Sequence, residues 1–208
     1  MALSSPWPFI HAEREALADD LQSLDEAGWS TQSLCAEWSV RDVFAHMTAT
    51  AKMTPPKFFA QLAGAGFKFT TFNAKNITRE ESGTPTQGLA EFRSLLKATN
   101  HPPGPVEAML GEAVIHSEDI RRPLGLKREY PSAAVVRVAD FFKGSNLLIG
   151  AKNRIAGLTL TATDTQWSSG SGPEVKGSIL DLVMAMTGRS AALDQLSGDG
   201  LATLRGRF

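Results

Sequence analysis

Gly111-Glu112-Ala113-Val114-Ile115-His116 sets a carboxylate and an imidazole four residues apart, within a stretch whose periodicity predicts a helix from about Pro105 to Arg122. On a helix that spacing turns through roughly 400°, so the two side chains lie one turn apart on the same face and both can reach one ion. Pro105 suits a first helical position, and Pro123 and Gly125 follow the expected end. Val106, Met109, Leu110, Ala113 and Ile120 make its apolar stripe, with Glu112, His116 and Asp119 along the edge. A helix with chemistry on the border of its buried face belongs in a bundle.

Upstream, Trp38-Ser39-Val40-Arg41-Asp42-Val43-Phe44-Ala45-His46-Met47 predicts a second helix. Ser39 is a good N-cap, Asp42 takes the N3 position of a shortened capping box, and Trp38 can staple onto Val43. His46 sits at the margin of the face formed by Val40, Val43, Phe44, Met47 and Ala51. His46, Glu112 and His116 can therefore converge across the bundle as metal ligands. Two histidines and a carboxylate leave a coordination position open, as catalytic sites do.

Earlier in the chain, Leu17, Leu21 and Leu24 mark a helix from Ile10 to Ala27, ended by Gly28. Pro55-Pro56 interrupts or kinks the second helix, and the helical pattern is expected to resume from Lys57 to Ala65. Residues 67–85 read as irregular, with Phe67, Phe69 and Phe72 suited to a lid or binding loop. Leu89, Phe92, Leu95 and Leu96 share a face of a helix over Thr86 to Thr99. Beyond the central helix, Ser132 to Arg154 reads as a fifth helix with a break at Gly144-Ser145-Asn146. Leu158-Thr159-Leu160-Thr161-Ala162-Thr163 alternates and is rich in β-branched residues, which predicts a strand. A second strand is expected around Trp167, an apolar helix from Ser178 to Gly188, and a last short strand from Leu201 to Arg207. The fold class is thus mainly α with a small α+β C-terminal part. Residues 1–154 form the helical bundle, and residues 155–208 form a small α/β region expected to pack on it.

The 208 residues are 42% hydrophobic, enough for a substantial core. Their 21 basic and 22 acidic residues give a net charge of −1, which disfavours a polyanion partner or an electrostatic membrane anchor. A single cysteine, Cys35, excludes an intramolecular disulfide. No apolar run approaches the roughly 18 residues of a membrane span, and the N-terminal residues lack a leader pattern. A cytoplasmic protein, monomeric or homodimeric, is expected.

Each candidate also has a plainer reading. A Glu/His pair at this spacing is common on solvated helices, but beside Met109 and Ala113 an unpaired carboxylate would cost several kcal/mol. Asp119 either orients His116 or pairs with Arg121, Arg122 or Arg41. Cys35 reads as a small buried hydrophobe with no histidine near it in the chain. Ser169-Gly170-Ser171-Gly172-Pro173 lacks the lysine and spacing of a phosphate loop and fits a turn. Arg189, at the end of an apolar helix, either complements the helix dipole or binds a substrate carboxylate. His11 and His101 carry no assigned role.

Trp29 to Cys35, Trp38 to His46, Glu112 to Asp119, Gly172 to Gly177 and Gly188-Arg189 together resemble the mycothiol-dependent maleylpyruvate isomerase family of the DinB-like superfamily. That resemblance implies a DinB-like four-helix bundle holding a divalent ion, usually zinc, on His46, Glu112 and His116. It also implies a shortened α/β C-terminal region and mycothiol as thiol cosubstrate. The thiolate would add to an activated double bond, allow rotation about the resulting single bond and leave; in an S-transferase it would remain joined to the electrophile. Arg189 is the candidate catalytic residue, holding a carboxylate of the small electrophilic substrate. Two other classes fit the same residues: a non-haem iron oxygenase, which uses two histidines and a carboxylate on a different fold, and a non-catalytic metal- or ligand-binding stress-associated protein.

Overall fold

Ser39 starts the helix that organises the first half of the chain. In the computed structural model, which describes residues 5–147 and 149–208, the Ser39 side chain accepts from the Asp42 amide at 3.2 Å. The Asp42 carboxylate in turn accepts from the Ser39 amide at 2.7 Å, completing the capping box. Ahead of this helix, α3 (Val40–Ala51), come α1 (Trp7–Asp20) and the single turn α2 (Glu26–Trp29). After it come α4 (Pro55–Gly64), α5 (Phe69–Glu80), α6 (Pro85–Ser94) and α7 (Val106–Arg121).

The bundle core is made by Leu17 and Leu21 from α1 and its end, Val43, Phe44 and Met47 from α3, Leu89 and Phe92 from α6, and Ile120 from α7. Phe44 meets Trp29 and Phe92 at ring-centroid distances of 5.3 and 5.0 Å. Buried side chains of this size each contribute about 1.5–3 kcal/mol. A buried ion network adds orientation: Arg121 on α7 reaches both Glu13 and Asp20 of α1, the latter at 2.6 Å. Arg121 is fully buried, so these carboxylates are what make its charge tolerable there.

The expected irregular segment 67–85 is instead mostly helix α5, packed along α3. Phe72 and Ile77 are buried on it, and Asn76, also buried, returns its amide to the Phe72 carbonyl at 3.0 Å. The chain enters α5 through two left-handed residues, Gly66 (φ 64°) and Phe67 (φ 59°). The turn is therefore local, and the helix begins sooner than the glycines suggest.

Contacts divide the chain after Arg128 rather than after Arg154. The second unit, Glu129–Phe208, contains α8 (Ser132–Lys143), α9 (Ala151–Arg154), β1 (Thr159–Ala162), β2 (Ser168–Gly170), β3 (Glu174–Gly177), α10 (Ile179–Met186), a 3-10 helix (Ser190–Gln195) and α11 (Leu201–Arg205). Helix α8 falls in this unit because it packs on α10. From Leu182 to Met186 every α10 residue is buried, which makes α10 the central helix of the unit. The sheet order is β2-β1-β3, β1 running antiparallel to β2 and parallel to β3, with buried Leu160 opposite buried Val175.

Glycines serve the β2–β3 connection: Gly172 has φ 129°, and a Cβ there would lie 2.1 Å from the Gly157 carbonyl oxygen. The strand expected from Leu201 to Arg207 is helix α11. Its Leu-Ala-Thr-Leu spacing buries Leu204 on one helical face, and the strand-like bridge nearby belongs to Ser197 with Lys176.

Candidate metal centre

Helices α3 and α7 pack against each other and carry the histidines to a common place. The imidazoles of His46 and His116 meet edge to face with centroids 5.1 Å apart. Trp38, just before the α3 cap, lies over both, 5.0 Å from His46 and 6.4 Å from His116. Its indole walls one side of the pair with apolar surface.

The electrostatics suit a cation. His46 retains some solvent contact, yet burial, with His116 beside it, pushes its pKa down to about 3. It therefore presents a neutral imidazole, the form that ligates. Burial pushes Glu112 up to about 8, opposed by the charge of Arg14 and a hydrogen bond with Thr50. Desolvation outweighs the help those groups give. Thr50 stands one turn beyond His46 on α3, and Arg14 on α1 is engaged with the Ala98 carbonyl at 2.8 Å. A carboxyl whose charge is disfavoured by burial, one turn before His116 on α7, is the kind of group whose missing counter-charge a divalent ion would supply.

Around His116 the geometry is tight. Its Nδ1 lies 2.8 Å from Asp119 Oδ2, with Asp119 fully buried. Against a carboxylate acceptor Nδ1 is the protonated nitrogen, which leaves the Nε2 lone pair for a ligand. Among the arginines weighed as alternatives, Arg121 engages Glu13 and Asp20, Arg122 engages Glu118 at 2.7 Å, and Arg41 donates to the Glu81 and Gly83 carbonyls. Cys35 is half-buried and gives its thiol to Asp119 Oδ2 at 3.1 Å, so it is not the inert hydrophobe expected of it.

Cys35, His116 and Asp119 are the one trio among the described residues whose ligand atoms all lie within 4.8 Å of each other. His46 and Glu112 stand outside that spacing. Thr50 is a contributor that sequence reasoning passed over, and Cys35 one that it read as a buried hydrophobe. The tryptophan-bounded loop gave a hint for Cys35, and the i, i+4 spacing from His46 gave one for Thr50.

Arg189 belongs to the second unit, following α10, and donates to the Thr187 carbonyl at 2.8 Å. Burial and the nearby charge of Arg189 lower the pKa of Arg154. No described helix is long and apolar enough to cross a membrane.

Residues 10–101 match the family described as the mycothiol maleylpyruvate isomerase N-terminal domain. The matched span runs from within α1 to beyond α6 and includes Cys35, Trp38 and His46. A crystal structure of the mycothiol-dependent maleylpyruvate isomerase aligns with a TM-score of 0.66 at 16% identity, over 96% of this chain and 93% of that one. The crystal structure of a histidine-to-alanine mutant of the mycothiol-dependent maleylpyruvate isomerase aligns at 0.65 and 15% identity with the same coverage. No curated protein matches the chain. At these identities the likeness shows the fold: a helical bundle with a small sheet-containing C-terminal part.

Proposed function

We propose, from the match of residues 10–101 to the mycothiol maleylpyruvate isomerase N-terminal domain, that the chain is a metal- and mycothiol-dependent isomerase of the maleylpyruvate isomerase type. The observation that carries this reading is the meeting of His46 and His116 at 5.1 Å on the helix pair that also bears the desolvated Glu112. His46, Glu112 and His116 would hold the ion, with zinc the best match to two imidazoles and a carboxylate. When bound, the ion would supply the positive charge that favours the thiolate form of an incoming thiol.

The chain's own groups do the rest. His46 enters neutral, Glu112 gives up its proton to become a ligand, and Asp119 holds the His116 ring with Nε2 available. Trp38 limits water around the imidazoles. Arg189 is assigned to a carboxylate of the substrate, a small electrophile with an activated double bond. Its guanidinium suits bidentate recognition of a carboxylate.

The test joins metal content to turnover. Wild-type protein is expected to carry near one zinc per chain and to isomerise maleylpyruvate only when mycothiol is added. His46→Ala and Glu112→Ala are expected to lose both. Failure to take up stoichiometric metal even from excess zinc would overturn the metal-dependent reading. Bound zinc with consumption of the thiol into a stable adduct would replace isomerisation by S-transfer.

A further inference from the structure

We propose that Cys35 is a positioning residue for the metal centre, acting through Asp119 on His116; this rests on the reading of His116 as a ligand. The carboxylate of Asp119 is fully buried and receives two donors on the same oxygen, His116 Nδ1 at 2.8 Å and Cys35 Sγ at 3.1 Å. A buried carboxylate is tolerated in proportion to the donors around it, and each donor also restricts where the oxygen can sit. The thiol is itself 3.9 Å from Nδ1, so its leverage on the imidazole runs by way of the carboxylate.

The loop bearing Cys35 is built to hold it there. The Cys35 amide donates to Ser33 Oγ at 3.0 Å, and Ser33 Oγ donates to the Trp38 carbonyl at 2.6 Å. Gln32 Nε2 ties the Cys35 and Trp38 carbonyls at 2.9 and 2.8 Å. The Leu34 amide donates to the backbone carbonyl of Asp119 itself at 3.1 Å. The loop is thus fastened to α7 at the residue whose side chain its thiol engages, and a rigid brace of this kind transmits position from one donor to the next.

A thiol is a weak donor, which distinguishes it from a lysine or arginine at the same place. It fixes the Asp119 oxygen without bringing a positive charge against the metal. The Asp119 oxygen accepts from the His116 N–H, which favours a single tautomer and fixes the orientation of the ring.

The experiment uses the full-length chain, wild type beside Cys35→Ala and Cys35→Ser, with thermal unfolding recorded for each. In metal-free protein, nitrogen NMR of the histidine rings reads the His116 tautomer. Zinc affinity is then measured by chelator competition, and the cobalt-substituted protein is examined for a thiolate charge-transfer band. The proposal expects Cys35→Ala to mix the His116 tautomers and weaken zinc binding about tenfold, toward the low end of effects from groups that orient ligands. Cys35→Ser, which restores a donor, is expected to recover both, and cobalt is expected to show no thiolate band.

Unchanged tautomer and affinity in a folded Cys35→Ala variant would overturn the proposal. So would an intense thiolate band, since the cysteine would then be a ligand itself. If wild type binds no metal and Cys35→Ala still mixes the tautomers, the brace stands and the metal reading fails, so the two are separable.

Discussion

Two residues of the centre titrate in opposite senses, and together they set a pH window. His46 has a folded-state pKa of about 3 against an ordinary 6.5, so between those values the unfolded chain binds the extra proton and stability rises with pH. Glu112 has about 8 against an ordinary 4.5, so between those values the folded chain binds the extra proton and stability falls with pH. From 4.5 to 6.5 the two slopes oppose each other, and from 6.5 to 8 Glu112 acts alone. Metal-free protein is therefore expected to unfold at progressively lower temperature as pH rises from 6.5 to 8. Saturating zinc is expected to remove that decline, because the ligated carboxylate has its counter-charge. Over the same range zinc affinity is expected to climb by up to about tenfold per pH unit as the competing proton leaves Glu112. Thermal scans of both forms across this range check the prediction, and an unchanged slope after zinc loading refutes it. At this scale the candidate ligands were legible because both signals are local: an i, i+4 pair and a histidine behind a capping box. The thiol of Cys35 was not, because its partner Asp119 lies 84 residues away and only tertiary packing brings them together.

At the scale of elements, the helices that carry the candidate ligands are held by two different devices, and each has a measurable cost of removal. Phe92 on α6 is fully buried against Phe44, and Phe92→Ala leaves a cavity that this packed core cannot close. Chemical denaturation is expected to show a loss of about 3–5 kcal/mol. Arg121→Ala takes from buried Glu13 its buried partner and leaves it only the half-exposed Arg128 at 3.2 Å, and a loss of about 3 kcal/mol, the low end for a broken buried pair, is expected. An effect below about 1 kcal/mol for the arginine would show that water replaces it easily. Helices α3 and α7 could be read from sequence because caps, proline positions and apolar periodicity agree there. Helix α5 could not: Thr70, Thr71 and Asn73 dilute its apolar stripe, and the glycines before it resemble a loop. Packing of Phe72 and Ile77 decides that segment, overriding weak local propensity. Helix α11 was misread for a related reason, since five residues give too few turns to distinguish a helical stripe from alternation.

Across the whole molecule the described residues fall into two compact units, and each carries its own prediction. His46, Glu112, His116, Asp119 and Cys35 all precede Arg128, whereas Arg189 belongs to the unit from Glu129 onward. The division near Arg128 was not visible as a composition shift, because α8 has the same amphipathic pattern as the bundle helices and only its packing on α10 assigns it. For Arg189, metal measurements and kinetics give separate answers. Arg189→Ala removes no ligand, so zinc content and zinc affinity are expected to match wild type. Loss of a charge-assisted contact worth about 1.5–3 kcal/mol is expected to raise KM for a carboxylate substrate roughly tenfold to a hundredfold. Arg189→Lys is expected to recover only part of this, since a single ammonium cannot reproduce the paired donors of a guanidinium. Substrate kinetics that Arg189→Ala leaves unchanged would return the residue to its alternative role at the end of α10. The substrate carboxylate would then need a different cation, while the proposed metal centre of the first unit would be untouched by that result.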